Sequence, residues 1–171
     1  VIIGDALTDR WVHGRVEKCQ DGCPKFVEES NTVSPGGAAN ARRCLVNWGV
    51  TTELHTYTGF YIPDKWRFVE ENGRIAFRWD DDKADVRSQQ GHVWERACAL
   101  AAVERSSGVL LSDYDKGFLT PKLIRQVAER CRERGIPCVA DCKRAPEVYS
   151  GCVRKCNTEY AEKHGYHTEV I

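Results

Sequence analysis

Two adjacent glycines followed by small residues and an asparagine are the first feature of this sequence that predicts a binding site. The segment is Gly36-Gly37-Ala38-Ala39-Asn40. Glycine lets a ligand come close to the backbone, and a helix that begins here directs free N–H groups outward. The Asn40 amide offers both a donor and an acceptor, as recognition of a sugar hydroxyl requires. Taken alone, the two glycines could equally serve only close packing of the helix.

Aspartates follow several of the short apolar strands that the sequence predicts, and two of these strand ends also carry lysine. Asp5 and Asp9 alone would also fit turn caps. Ligands of open α/β sheets bind beyond the carboxyl ends of the strands, so the repetition predicts a ligand crevice. The residues are Asp5 and Asp9 after strand 1–3, Asp113 and Lys116 after strand 109–111, and Asp141 and Lys143 at the end of strand 136–141.

The elements that must position these side chains alternate along the chain. Apolar residues at helical spacing predict helices over 38–48, 90–104 and 121–134, and a helix start over 158–164. Gly49 is expected to end the first helix, whereas Thr120, Pro121 and Gly135 delimit the third. Strands are predicted at 51–57, 109–111, 136–141 and 152–156. This alternation indicates βαβ units, a parallel sheet and the α/β class.

Two segments, about 11–30 and 65–80, do not fit the alternation. The first is predicted to be irregular or short-stranded, because Gly14, Gly22 and Pro24 interrupt its apolar residues. In the second, Glu71-Asn72-Gly73 lies between two alternating runs, which is typical of a β-hairpin. We expect both segments to contribute to a small β flap, or lid.

In this order the motifs resemble those of the ribokinase-like (PfkB-type) sugar kinases. They are G-D-x-x-x-D-R-W, P-G-G-A-A-N-x-x-R, K-W-R-F-V with R-W-D, L-S-D-Y-D-K-G and a final A-D-C-K. The glycine motif is characteristic of the superfamily, and S-D-Y-x-K-G with R-x-D is similar to the kinase domain of bacterial heptose-7-phosphate kinases of lipopolysaccharide core synthesis. The resemblance implies a three-layer, Rossmann-like, mostly parallel sheet with a β lid, in one incomplete kinase domain over 1–171.

The resemblance also implies roles for individual residues. Asp9, Gly36, Gly37 and Asn40 would bind sugar hydroxyls under the closed lid. Lys65, Arg67 and Arg78 would face the substrate or its phosphate, although a solvated charge on the lid is an alternative for each. The crevice between sugar and nucleotide would be lined by Asp113, Lys116, Asp141 and Lys143, with Asn157 and Glu159 on the nucleotide side. The implied cofactors of the complete enzyme are ATP and Mg²⁺.

The sequence also departs from the family pattern. Asn157 stands where an Asn-x-x-Glu motif is expected, but Tyr160 takes the last position, so Glu159 or Glu162 would have to substitute. Cys142-Lys143 replaces Pro-Lys, and only Phe60 to Asp64 fill a stretch that holds a further helix and strand in the family.

The Gly-Ala-Gly-Asp segment, with the general base, is expected in a C-terminal half that this chain lacks. We therefore expect a fragment without a catalytic residue of its own, which does not turn over alone. Without that half, one sheet edge and one sheet face should be open to solvent.

Composition limits the partners. Lys plus Arg and Asp plus Glu number 25 each, so no net charge attracts nucleic acid or an anionic membrane surface. Neither a secretory signal nor an apolar stretch of about 20 residues is visible, which predicts a cytoplasmic protein. The nine cysteines include three CxxxC pairs, a spacing less typical of zinc sites than C-x2-C, so reduced thiols and no metal are expected.

Two functions are consistent with these observations. The first is ATP-dependent phosphorylation of a sugar or sugar phosphate, with heptose 7-phosphate expected, although other sugar kinases share the glycine motif. The second is a catalytically inactive sugar-binding module, or a subunit that another polypeptide completes. A zinc-bound regulatory module is a distant third. The resemblance makes a homodimer through the β flap plausible.

Overall fold

In the computed structural model, residues 1–19, 21–57, 62–81 and 92–165 are described. The central sheet of this part of the chain is wholly parallel. Its strands are β1 (Ile2–Gly4), β4 (Leu54–His55), β7 (Val109–Ser112), β8 (Cys138–Asp141) and β9 (Val153–Lys155), in the order β4-β1-β7-β8-β9. The carboxyl ends of β1, β7 and β8 therefore meet at one edge, where the predicted site residues begin.

A second sheet is formed by the two segments predicted as a lid, and we call it the lid sheet. Its strands are β2 (Ala6–Lys18), β3 (Pro24–Gly37), β5 (Asp64–Glu70) and β6 (Ile75–Asp81), in the order β3-β2-β5-β6. The β2/β3 and β5/β6 pairs are antiparallel, whereas β2 and β5 run parallel. Because only Asp5 separates β2 from β1, the lid sheet begins where the central sheet ends.

The helices pack on the two faces of the central sheet. They are α1 (Ala38–Asn47), α2 (Val93–Val103), α3 (Pro121–Arg134) and α4 (Thr158–Lys163), with a short 3-10 helix over Pro146–Tyr149. Apolar residues of α2 and α3 pack with Ile3, Leu111 and Ala140 in one buried core. Helix α1 contacts β1, β4 and β7, and the neighbouring side chain Ile2, which alternates to the other face, is also buried.

The elements with clear end signals match the predictions. Thr120 caps α3 by accepting the Leu123 N–H at 3.1 Å, and Gly135 ends that helix at φ 64°. The hairpin around Gly73 is also present. Strand 51–57 is reduced to Leu54–His55, and the first two residues predicted for α2, 90 and 91, lie outside the described residues.

The prediction of irregular structure over 11–30 is wrong. Strands β2 and β3 are the longest in the described part of the chain, and their pairing shifts register only between His13 and Gly14. A Cβ at Gly14 would lie 2.0 Å from the Val27 carbonyl oxygen, so this glycine permits the strand pairing that it was expected to interrupt.

One sheet face is only partly covered. A groove of about 770 Å³ runs along it between α1 and the strands, lined by Ile2, Leu45, Val50, Leu110 and Val139 among others. At the sheet edge, the Val153 side chain of β9 is 66% exposed. The open face and edge predicted from the sequence are therefore seen in the described residues. None of the helices in this part of the chain is long and apolar enough to cross a membrane.

Candidate functional site

Asp5, buried at the end of β1, organises the loop that follows β7. Its Oδ2 accepts the backbone N–H groups of Tyr114 at 2.9 Å and Lys116 at 3.2 Å, and its Oδ1 accepts that of Phe118 at 2.9 Å. Burial raises the pKa of Asp5, although the three N–H donors oppose that shift. Asp5 thus fixes the loop 114–118 in place and is itself hidden from any ligand.

Asp113, predicted to line the crevice, does not do so. It is fully buried, and its Oδ2 accepts the Tyr149 hydroxyl at 2.7 Å and the Arg144 Nη1 at 2.5 Å. Burial raises its pKa despite these two donors. The physical reason for the error is that a carboxylate leaving a central strand is enclosed by the next loop, here the one carrying Arg144. Asp113 therefore joins the ends of β7 and β8.

Asp9 meets its predicted partners at the start of the lid sheet. Its Oδ1 accepts the Arg67 Nη1 at 2.7 Å, with both side chains about one-fifth exposed, while Arg67 also lies over the Trp11 ring at 4.6 Å. A Cβ at Gly36 would lie 2.7 Å from the Asp9 Oδ2. Gly36 is therefore required for the carboxylate to sit against the β3 backbone, with Arg67 fixing its orientation.

Gly37 and Asn40 form the junction between β3 and α1. Gly37 has φ 57° and ψ −134°, a conformation nearly restricted to glycine, and a Cβ there would lie 2.3 Å from the Asp5 carbonyl oxygen. Packing thus explains Gly37 without a ligand. Asn40 lies in the first turn of α1, half-buried, and its Oδ1 accepts the Arg43 Nη2 at 2.8 Å.

Tyr114 connects the lid with the end of β8. The Lys65 Nζ of the lid lies 4.6 Å from the centre of the Tyr114 ring, and the Lys143 Nζ lies 5.7 Å from it. Burial, followed by repulsion from Arg78, lowers the pKa of Lys65. We call Lys65, Tyr114 and Lys143 the lysine–tyrosine platform. It brings together two predicted site residues from separate elements.

The surroundings of this platform are rich in positive charge. The charges of Arg78 and Lys116 both lower the pKa of Lys65. Arg78 donates two hydrogen bonds of 2.5 and 2.6 Å to the Asp80 carboxylate. Near Tyr114, Asp141 raises and Lys155 lowers the pKa of the tyrosine, and the two side chains form an ion pair at 3.1 Å. Basic side chains outnumber carboxylates among these groups, although the whole chain carries no net charge.

The residues predicted for the nucleotide side are only partly brought together. Asp141 and Lys143 lie at the end of β8, close to Tyr114. Asn157 instead caps α4, because its Oδ1 accepts the Tyr160 N–H at 2.9 Å. Glu159 is exposed in the first turn of that helix. The structure thus gives Asn157 a structural role that the motif comparison did not anticipate.

Three residues of the site were missed from the sequence. Tyr114 belongs to the S-D-Y-D-K-G motif, but no role was predicted for it, and nothing in the spacing indicated that its ring faces two lysines. Arg144 and Tyr149 hold Asp113, and the Tyr149 hydroxyl accepts the Lys143 and Arg144 N–H groups at 3.0 Å. Burial raises the pKa of Tyr149, so it stays a hydrogen-bond donor to Asp113.

The chain is similar to known proteins in both sequence and structure. No model of a known protein family matches the chain. Bifunctional protein HldE of Gluconobacter oxydans is 28% identical over 185 residues, which cover 88% of this chain and 38% of that protein. The HldE of Geobacter metallireducens is 31% identical over 175 residues, covering 84% and 35%. The chain thus spans little more than a third of these relatives.

Among solved structures, ribokinase of Arabidopsis thaliana complexed with ribose and ATP superposes with a TM-score of 0.68 at 15% identity, over 99% of this chain and 64% of that one. The chain has the ribokinase-like fold. Phosphofructokinase-2 of Escherichia coli shares this ribokinase-like fold at a TM-score of 0.52 and 12% identity, over 82% and 54%. The resemblance to HldE proteins and to ribokinase-like carbohydrate kinases, predicted from the motifs, is confirmed.

Proposed function

We propose that this chain is the sugar-binding part of a carbohydrate kinase that phosphorylates a sugar phosphate, with heptose 7-phosphate as the substrate. The observation that carries the proposal is the lysine–tyrosine platform, which lies beside the contact between the Asp9 carboxylate and Gly36. Similarity to HldE proteins over most of the chain and the ribokinase-like fold support a sugar kinase. The charge of the crevice supports a phosphorylated substrate.

An anionic group on the sugar is favoured by electrostatics. Lys65 is held over Tyr114 among Arg78 and Lys116, and partial burial strengthens its attraction for an anion relative to that in water. Nearby, Asp80 and Asp9 only partly offset this charge. A neutral sugar would leave the excess positive charge uncompensated, whereas a phosphate would make charge-assisted hydrogen bonds with the lysines.

We assign hydroxyl recognition to Asp9, which pairs with Lys65 across the lid strands, and to Asn40. Arg67 engages one oxygen of Asp9, which leaves the second oxygen, beside Gly36, to accept sugar hydroxyls. Asn40 keeps an amide N–H₂ group to donate, because Arg43 engages only its oxygen. A fixed carboxylate paired with an amide donor can bind two adjacent hydroxyls in one orientation.

The fit of the implied cofactors differs between ATP and Mg²⁺. Lys143, which follows β8, would bind a phosphate of ATP, and bound ATP would supply the phosphoryl group to be transferred. Among the described residues, however, no group of three or more His, Cys, Asp or Glu side chains is arranged to hold a metal ion. Asn157 caps α4 and Glu159 is exposed, so these two residues do not fit a Mg²⁺ site.

This chain therefore binds and orients the sugar in our proposal, and transfer takes place in the larger protein. Asp5 and Asp113 are buried, so these two carboxylates are not placed to take a proton from a substrate hydroxyl, and Asp9 is assigned to hydroxyl binding beside Arg67. The same observation favours the second candidate, a sugar-binding module without activity of its own.

The test is calorimetric titration of the chain with heptose 7-phosphate and with the unphosphorylated heptose. We expect the phosphorylated sugar to bind at least about tenfold more tightly, a difference of about 1.4 kcal/mol. Titration with ribose and fructose 6-phosphate measures the preference among sugars.

A phosphorylation assay with ATP separates the two candidates. Binding without turnover by this chain, combined with turnover by a longer protein that contains it, supports the kinase proposal. Binding without turnover by both supports the module. Equal affinity for the sugar with and without its phosphate would contradict the role given to the platform.

A further inference from the structure

Two cysteines on neighbouring strands lie almost within bonding distance. The Sγ atoms of Cys138, in β8, and Cys152, just before β9, are 3.4 Å apart. Val139 pairs with Val153 in the parallel register, so the two cysteines lie opposite each other on adjacent strands. Adjacent strands are about 4.8 Å apart, a Cα separation that disulfides accept. In the sequence these two cysteines belong to different CxxxC spacings, Cys138/Cys142 and Cys152/Cys156, and reduced thiols were expected for both.

The pair differs in exposure and in acidity. Cys138 is buried, whereas Cys152 is partly exposed and next to Arg154. The hydrogen bond from Cys138, with a smaller contribution from Arg154, lowers the pKa of Cys152, and hydrogen bonding with Cys152 together with burial raises that of Cys138. Cys152 is therefore the thiol that a reagent reaches first and that ionises more readily, with Cys138 directly behind it.

Cys131 of α3 is the third thiol of this region, and it contacts Cys138 from the helix side. It is buried, and burial raises its pKa. The three do not form a metal site, since none is found among the described residues. All nine cysteines of the chain are free in this structure, so the pair is a dithiol.

We propose that Cys138 and Cys152 form a reversible disulfide when the protein meets a peroxide. The Cys152 thiolate attacks one oxygen of hydrogen peroxide, the O–O bond breaks, and Cys152 becomes a sulfenic acid with release of water after protonation. The Cys138 sulfur then attacks that sulfur and forms the S–S bond, the S–O bond breaks, and the Cys138 proton passes to the departing hydroxide, which leaves as a second water. Two thiols and one peroxide thus yield one disulfide and two waters, and a small dithiol reductant reverses the reaction.

The bond would close a ring around the segment between β8 and β9. That segment carries Lys143 of the platform, Arg144, which binds Asp113 and Asp115, and Tyr149. Oxidation fixes both ends of this segment to each other and so restricts the position of Lys143. The site is independent of the proposed function, because it rests only on the two strands and their thiols.

The test uses a background with Cys19→Ser, Cys23→Ser and Cys44→Ser, which removes partly or fully exposed thiols far from the pair. The folded protein is treated with about one equivalent of hydrogen peroxide, alkylated and digested with trypsin. We expect a linked pair of the peptides 135–143 and 145–154, with fragment ions that place the bond on Cys138 and not on Cys142. We also expect the unfolding temperature to rise by several degrees and hydrogen exchange over 142–151 to slow, both reversed by dithiothreitol.

The partly exposed position of Cys152 makes Cys152→Ser a folded control, and in that variant the linked peptides and the rise in unfolding temperature should both be lost. Cys98→Ser, which alters a cysteine on α2, should leave both unchanged. The proposal is wrong if the folded protein yields no linked peptides, if the bond joins Cys131 to Cys138, or if it forms only after unfolding.

Discussion

At the level of single residues, Asp5 and Asp9 show that similar carboxylates near one strand end have different roles. Asp5 is buried and accepts three backbone N–H groups, whereas Asp9 is partly exposed and paired with Arg67. Asp5→Asn replaces one acceptor oxygen with a donor. We expect it to lower the free energy of unfolding by about 2–4 kcal/mol, measured by urea denaturation.

Two matched substitutions control this prediction. Asp21→Asn, at an exposed position, should change the free energy of unfolding by less than about 0.5 kcal/mol. Asp9→Asn should cost at most about 1 kcal/mol, because its ion pair is partly solvated, yet weaken sugar binding. If Asp5→Asn were as stable as Asp21→Asn, the loop 114–118 would not depend on Asp5.

In the proposed function, phosphate recognition depends most directly on Lys65. Lys65→Met keeps the length of the side chain but removes its charge, and should weaken heptose 7-phosphate binding about tenfold while leaving the unphosphorylated heptose unaffected. Lys25→Met, on the exposed part of β3, is the control and should change neither affinity. Equal weakening for both sugars would place Lys65 against the hydroxyls instead of the phosphate.

The pH dependence of the same binding reports on Lys65 independently. Its pKa is lowered, chiefly by burial, so the lysine loses its proton, and with it the attraction for phosphate, at a lower pH than an exposed lysine does. Affinity for heptose 7-phosphate should therefore fall as pH rises towards the ordinary range of lysine. Calorimetric titration of Lys65→Arg over the same range should show a flatter profile, since arginine stays charged.

At the level of elements, the junction between β3 and α1 joins the lid sheet to the site. Gly37→Ala places a Cβ 2.3 Å from the Asp5 carbonyl oxygen in a conformation that alanine avoids. We expect a loss of at least about 3 kcal/mol in the free energy of unfolding. Gly49→Ala is a matched control at φ 77° with no neighbouring atom within 4 Å, and should cost only about 1–2 kcal/mol. Equal losses would show that backbone conformation alone explains Gly37.

How far the sequence predicted these elements depended on whether their signals were local. Helix α3 was predicted to its ends, because Thr120, Pro121 and Gly135 each act through their own backbone. Strands β2 and β3 were missed, because Gly14 and Pro24 interrupt a local pattern while the pairing that stabilises both strands is long-range. The contacts that bring Asp9, Gly36 and Arg67 together are also long-range, so only the resemblance predicted a shared site for them. The contacts of the Tyr114 ring with the two lysines and of the Tyr149 hydroxyl with Asp113 were not predicted at all.

At the level of the whole molecule, the lid sheet has two unlike faces. One carries Asp9, Lys65 and Arg67, and the alternation of the strands places aromatic side chains on the other. On that outer face Phe68 stacks on Phe77 with ring centres 4.0 Å apart, and Phe26 packs edge-on against Phe68 at 5.2 Å. Phe77 and Trp79 nevertheless remain 47% and 53% exposed. An aromatic surface of this kind is typical of an interface with another protein.

A second copy of the chain is the partner that we expect on this surface, since the resemblance suggested a homodimer through the lid. Trp79→Glu introduces a charge into this surface and should convert a dimer to monomers in analytical ultracentrifugation, with an unfolding temperature that no longer depends on protein concentration. Trp94→Ser, at a position on α2 that is 76% exposed, should leave the dimer intact.

The partly covered groove offers a competing explanation for self-association, which is tested by Val50→Glu, a substitution in the wall of the groove. Dissociation by Val50→Glu but not by Trp79→Glu would assign the contact to the open sheet face, and the lid would then have to be covered in another way.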